Sequence, residues 1–294
     1  PLLDKIRLVQ LACPSATYVI DAYHVPMDVL TPVLNGGPVK VGFNLKFDCS
    51  FFYEMSSGQV VEPVYDLMLA DQVLRNWTYP RKLRDVAREY LDVVLDKGQQ
   101  ASDWAVEVLA REQIQYAAMD AAVLLPLYRA LGAQIEEAGL TKTADLENRM
   151  IAPVVWMERG GVGFNREAWD SLAGLAQERA DRYRGRLDRL VLRHMLVVDD
   201  QSDAATPMVN WNSSPQVRSL LNNIGLDVKD TKREPLDPLR DEHPIVGALI
   251  NYREASKRAN TYGTRWANSV VHPHTSRIHA NWRQIGAVTG RMAC

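Results

Sequence analysis

The sequence predicts an α/β fold for its first half and a mainly helical fold for its second. Three observations lead there. Short, β-branched apolar runs alternate with helical patterns through the first part of the chain, as layered α/β folds require. A near-heptad apolar seam then runs from Trp169 to His194. The charge is also divided: residues 1–150 carry 14 Lys+Arg against 20 Asp+Glu, whereas residues 243–294 carry 7 against 1.

The elements follow in order. IRLVQLAC (Ile6–Cys13) and TYVIDAY (Thr17–Tyr23) read as strands separated by a Pro-Ser turn. VPMDVLTPVLNGG reads as a short helix ended by Gly36-Gly37, and VKVGFN (Val39–Asn44) as a third, buried strand. EPVYD is a candidate fourth strand. Lys82 to Gly139 is nearly all helical by pattern, with Ser102 as a candidate N-cap and Gly139 as a C-cap. The organisation changes at about Leu146. A long helix is expected from Asn165 to His194, with Trp169, Leu172, Ala176, Ala180, Tyr183, Leu187, Leu190 and His194 on one seam of a helical hairpin. Asp199–Pro207 reads as a polar loop, and Asn212-Ser213-Ser214-Pro215 starts a further helix with capping chemistry.

Composition narrows the function classes. A chain of 294 residues, 47% hydrophobic and 24% charged, is that of an ordinary globular protein with room for two cores. No apolar run approaches the length of a membrane span, and no signal peptide is visible. Cys13, Cys49 and Cys294 are widely spaced, which argues against a disulfide framework or a zinc knuckle and suits a cytoplasmic protein. The basic C-terminal stretch, with Tyr252, Tyr262, Trp266 and Trp282, suits phosphate-backbone contact, although charge alone fits a solvated basic face equally. His272, His274 and His279 lack Cys or carboxylate companions at ligand spacing and read as loop or packing residues.

Two local patterns carry possible chemistry. In VGFNLKFD, Asp48 stands four residues after Asn44, just past a strand. In YAAMD, Tyr116 and Asp120 share one helical face. Two-metal phosphodiester hydrolysis needs carboxylates on the metals and a group to orient the attacking water. Taken singly, Asp48 is also a turn or cap residue, and Tyr116/Asp120 a surface pair.

Their order and surroundings carry more. IRLVQLA, YVIDA, VGFNLKFD, VYDLMLADQVL, KLRDVAREYLDVVLDKGQQASDW and QIQYAAMDAAVLLPLY resemble, in sequence order, the proofreading 3′–5′ exonucleases that use four acidic residues and a tyrosine, ribonuclease D included. The resemblance implies a ribonuclease H-like sheet, a Mg²⁺ or Mn²⁺ two-metal site, Asp48 as the second-motif aspartate and metal ligand, and Tyr116 with Asp120 as the third-motif pair, Asp120 ligating metal. The family's first motif, Asp-x-Glu, lies on a strand before IRLVQLA. Only Pro1–Lys5 stand there, and Asp4 has no Glu two residues on. The sheet is therefore expected to be incomplete, with the IRLVQLA and VKVGF strands facing a gap or pairing directly.

The second half resembles the thumb and the start of the palm of family A DNA polymerases, the bacterial polymerase I type. ENRMIAPVVWMERGGVGFN matches the beginning of the thumb through Glu147, Pro153, Met157, Glu158, Gly161 and Val162, with no role assigned to Glu158. VNWNSSPQVRSLL, then Tyr252, Arg253, Lys257, Thr261 and Tyr262, and finally the run from Arg277 through His279 and Gln284 to Thr289-Gly290-Arg291 complete the match. The resemblance places Lys257 and Arg258 at phosphates, and Arg277, Gln284 and Arg291 near the primer–template end. In the family the palm carboxylates and the fingers helix follow this last run.

The expectation is an exonuclease-like domain over residues 1–140 and a thumb with the start of the palm over 146–294, an internal piece of a larger, monomeric polymerase impaired in both chemistries. Its expected partners are primer–template duplex and the single-stranded 3′ end of DNA. A self-contained ribonuclease D-like nuclease and a non-catalytic DNA-binding relative of the polymerases are the rival readings.

Overall fold

The turn at Pro14-Ser15 closes the hairpin that the two opening apolar runs suggest. Strands β1 (Leu8–Cys13) and β2 (Ala16–Asp21) pair antiparallel from Leu8↔Asp21 to Cys13↔Ala16. The computed structural model describes residues 6–96, 98–99, 102–198 and 209–294. The chain divides into two compact units, Pro1–Gly161 with His279–Cys294, and Val162–Ile278.

In the first unit a short helix α1 (Thr31–Leu34) precedes β3 (Asn35–Gly42). Helix α2 (Leu45–Met55) then crosses over to β4 (Glu62–Asp66), which pairs parallel with β3 through Lys40↔Val64 and Gly42↔Asp66. The strands β1 and β3 do not pair. Each belongs to its own two-stranded sheet, so the expected incomplete sheet takes the form of two separate ribbons. The expectation that the third strand is buried needs correction: Val39 is 49% exposed, and only the Gly42 end of β3 is covered.

Helices supply the core. They are α3 (Leu67–Arg75), α4 (Leu83–Leu91), α5 (Arg111–Ala122), α6 (Leu124–Glu137), α7 (Thr141–Arg149) and α8 (Ile151–Gly160). The i, i+4, i+8 spacing of Leu127, Leu131 and Ile135 turns one face of α6 inward, where Leu127 and Leu131 pack on Leu67 and Val86. Gly139, at φ +68°, ends α6 as expected: its N–H donates to Glu136 O, and the Leu140 N–H to Ile135 O.

The stretch from Lys82 to Gly139 is less helical than its pattern. Asp92 takes the left-handed conformation and stops α4, and the described residues from 92 to 110 form turns and extended chain. Val93 and Val94, followed by Asp96 and Gly98, disfavour continuing the helix. Ser102 is therefore not an N-cap. Its hydroxyl donates to Gln99 O and accepts from Gln113, whose own side-chain oxygen accepts the Ala110 N–H at the true start of α5.

The compact units also divide later than the expected 140–146. Asn148 of α7 explains this locally: its buried side-chain oxygen accepts the Asp66 N–H at 2.5 Å, tying α7 to the end of β4.

In the second unit β5 (Val162–Gly163) pairs antiparallel with the later β6 (Arg277–Ile278). Between them lie α9 (Arg166–Val198), α10 (Ser214–Asn223), α11 (Arg233–Leu236), α12 (Pro244–Thr261) and α13 (Thr264–Val270). Asn165 caps α9 by accepting the Ala168 N–H at 2.9 Å. The expected helical pair forms between α9 and α12, over a core of Leu187, Val191, Leu221, Leu236 and Leu249. The seam is buried only in its later half: Ala180 and Leu187 are inside, whereas Leu172 is 63% exposed. Ser213 does precede α10, yet its side chain makes no capping hydrogen bond. The expected loop Asp199–Pro207 and the side chain of His194 lie outside the described residues.

Candidate functional site

Asn44 adopts a left-handed conformation, φ 63°, and turns the chain from β3 into α2. Its N–H and that of Leu45 donate to the two carboxylate oxygens of Asp66, at 2.9 and 2.8 Å. Met68 N–H donates to the same carboxylate at 2.8 Å. One buried carboxylate thus caps the N-termini of both α2 and α3, a favourable place for negative charge. Burial nevertheless pushes the Asp66 pKa up to about 6 against those hydrogen bonds.

Asp48 lies in the first turn of α2. Water reaches it, while protein closes round the carboxyl group. That desolvation, with the Asp66 charge added, pushes its pKa up to about 6. The neighbouring Cys49 thiol is buried and pushed up to about 12, which leaves it unreactive.

Tyr116 and Asp120 come together on α5. The two groups act on each other's titration, and burial holds both above their ordinary pKa ranges. The Trp104 ring lies 6.1 Å from that of Tyr116, and the Asp96 charge also acts on the tyrosine. The structure places the pair Tyr116/Asp120 on α5, and Asp48 beside Asp66 at the start of α2. Among the described residues no three His, Cys, Asp or Glu side chains lie together as metal ligands. Asp66 already gives both oxygens to backbone donors, so these residues by themselves do not build a two-metal site.

The five residues expected at DNA fall into two kinds. Lys257, Arg258, Arg277 and Arg291 are exposed. Gln284 is not: it is 5% exposed, and its Nε2 donates to the Glu147 carbonyl at 2.7 Å and to the Glu147 carboxylate at 2.9 Å. A side-chain amide satisfied inside the protein holds the chain in place, and its expected approach to DNA is corrected to a packing role.

The same run discloses two residues that motif reading passed over. Lys46 Nζ donates to Glu158 Oε1 at 2.7 Å, to Asn281 Oδ1 at 2.8 Å and to the Trp282 carbonyl at 2.6 Å. Glu158, given no role from sequence, also accepts the Trp282 N–H at 2.6 Å, and its carbonyl pairs with His279 Nδ1 at 2.8 Å. Ile285 completes the attachment by packing with Phe52, Ile151 and Val155. The residues from His279 on are thereby fixed to α2 and α8. The one sequence signal was Lys46 inside NLKFD, two positions before Asp48.

Comparison with known proteins agrees with both halves. The description 3′-5′ exonuclease matches residues 2–136, and DNA polymerase family A matches residues 189–294. DNA polymerase I of Aquifex aeolicus is 26% identical over 99% of this chain and 51% of its own length. DNA polymerase I of Pseudomonas aeruginosa is 26% identical over 87% of this chain and 28% of its own. The thermostable DNA polymerase I of Thermus thermophilus reaches 35%, over 29% of this chain and 11% of its own. The chain thus spans about half the length of the Aquifex relative and less of the others. Among solved structures, the polymerase domain of Pol1 from M. smegmatis, in complex with DNA primer–template and dNTP, superposes with a TM-score of 0.69. At 19% identity, over 96% of this chain and 47% of that one, it establishes likeness of fold. With an exonuclease module followed in one chain by a polymerase module, and polymerase I relatives aligned across both, this chain belongs to the family A DNA polymerases.

Proposed function

We propose that this chain serves a template-directed DNA polymerase with 3′–5′ proofreading, and that its own principal activity is sequence-independent binding of primer–template duplex. The observation that carries the reading is the succession of exonuclease and polymerase modules along one chain, matched across 99% of its length by a polymerase I. Exposed Lys257, Arg258, Arg277 and Arg291 supply cations for phosphates and for minor-groove acceptors. Duplex product must be held whatever its sequence, so contacts of this kind are the ones required. A monomeric, cytoplasmic protein completes the reading; no helix among the described residues is long and apolar enough to cross a membrane. The functional division into an exonuclease domain over 1–140 and a thumb with the start of the palm over 146–294 belongs to the same proposal.

Family A polymerase and exonuclease modules generally use divalent metal ions. On this reading Asp48 and Asp120 are the carboxylates directed at Mg²⁺ or Mn²⁺, and Tyr116 orients the attacking water. Two separated carboxylates hold a hard cation weakly. The chain is therefore expected to retard a primer–template in a mobility-shift assay in Mg²⁺ while removing few or no 3′ nucleotides. Failure to retard duplex contradicts the binding reading. Robust degradation of single-stranded DNA, abolished by Asp120→Ala, contradicts the weak-exonuclease reading.

A further inference from the structure

Helix α9 carries Arg179, Arg182, Arg186 and Arg189 at steps of three, four and three, which places all four along one face. With Arg258 of α12 and Tyr262 just past its end they line a cleft of about 760 Å³ within the second unit. Among the described residues none of these five arginines has an ion-pair partner. Three carboxylates close by are engaged elsewhere, Glu254 of the cleft lining among them. Glu254 pairs with Arg233 at 2.5 Å, Asp188 accepts the Trp211 indole N–H at 2.8 Å, and Asp181 accepts from Gln177 at 3.1 Å. Like charges one turn apart destabilise a helix. A row of them left unpaired is a surface that an anionic polymer would stabilise.

The cleft is apolar as well as basic. Tyr183 stands inside the arginine row, Tyr262 is 50% exposed, and Leu172 and Leu175 are 63% and 49% exposed at one end. A duplex hides its base faces in its own stack and offers only phosphates and groove edges. An unpaired strand offers phosphates and bare base faces together, which is the combination this cleft can satisfy. Ten residues of α9 span about 15 Å. That is the length of about four stacked nucleotides at 3.4 Å each. Guanidinium groups suit the phosphates, and aromatic rings suit any base.

We propose that the α9–α12 cleft binds single-stranded nucleic acid, with phosphates on the arginine row and bases against Tyr262, Tyr183 and the two leucines. The proposal rests on the reading above only for the class of polymer; apart from Arg258, which serves both surfaces, the site and the strandedness are separate from the duplex contacts. Lys257, which does not line the cleft, keeps the two distinguishable.

The test is fluorescence anisotropy of the full chain with a labelled 12-nucleotide single strand, an abasic strand of the same length and a blunt duplex. Arg182→Ala with Arg186→Ala is expected to weaken the single strand at least tenfold. The double variant should also lower its salt slope by about 1.4, at about 0.7 per phosphate contact, and leave duplex affinity within threefold. Tyr262→Ala should weaken the intact strand about fivefold or more and leave the abasic strand unchanged. An unchanged single-strand affinity in the double arginine variant overturns the proposal. So does equal binding of intact and abasic strands by the wild type, or tighter binding of an acidic amphipathic peptide than of the strand, which assigns the cleft to a protein partner. Loss of duplex binding with single-strand binding retained contradicts the earlier reading alone.

Discussion

In the first unit several cations stand in pairs with carboxylates. Lys46 sits on Glu158, Arg159 on Glu54, and Arg81 on the buried Asp71. In the second unit Arg179, Arg182, Arg186 and Arg189 face a cleft without partners, and Lys257 and Arg258 are exposed. These first-unit pairs hold the fold together, whereas the α9 arginines are open to a polyanion. The net charge of −2 conceals this, because it averages two different uses of the same side chains.

The comparison breaks most visibly at Glu158. Its carboxylate is 12% exposed and receives both Lys46 and the Trp282 N–H. Glu158→Ala leaves the Trp282 N–H without its acceptor and Lys46 without its counter-charge, and is expected to cost about 3 kcal/mol in urea unfolding. Glu158→Gln should cost less, because an amide oxygen still accepts. The arginine-row variants of α9 should unfold within about 0.5 kcal/mol of wild type. A Glu158→Ala variant as stable as theirs removes the distinction between closed and open charge.

The acid-side behaviour sharpens it further. Asp48 and Asp66 have pKa values pushed up to about 6 from an ordinary 3.8. The folded chain therefore keeps protons that the unfolded chain releases between those values. Their stabilising contribution is complete below about pH 3.8 and is lost as pH rises through about 6. Unfolding free energies measured at intervals from pH 4 to pH 7 should fall less steeply in Asp66→Asn than in wild type. An identical slope in the two proteins excludes Asp66 as a source of this loss.

Gln284 gives a smaller and more specific effect. Gln284→Ala is expected to lower stability by about 1 kcal/mol through the lost bonds to Glu147, with duplex affinity unchanged once the protein is folded. A fall in duplex affinity at full stability returns Gln284 to the DNA.

These cases show what was legible in the sequence. The hairpin strands, β4, Asn165 at the head of α9 and Gly139 after α6 were readable because local propensity and capping decide them. The interruption after Asp92 was hidden because the helical patterns on either side run up to it, while a left-handed Asp92 and the residues that follow stop the helix. Lys46 with Glu158, and Gln284 with Glu147, join positions 112 and 137 residues apart, which no local spacing discloses. The α9 arginines stand in the sequence, but the seam's spacing defines only which face is buried and not whether the arginines find partners. Asp48 was identified on pattern, while its buried neighbour Asp66 was not, since only the fold brings the starts of α2 and α3 onto one carboxylate.

The central claim is that the open cations of the second half hold duplex DNA by its phosphates. A mobility-shift titration of primer–template at several salt concentrations tests it most directly, with wild type and Lys257→Ala side by side. The account predicts that affinity falls by about 0.9 log unit per tenfold rise in salt for each phosphate neutralised, and that Lys257→Ala lowers this slope by about one. Affinity indifferent to salt, or an unchanged slope in Lys257→Ala, contradicts it.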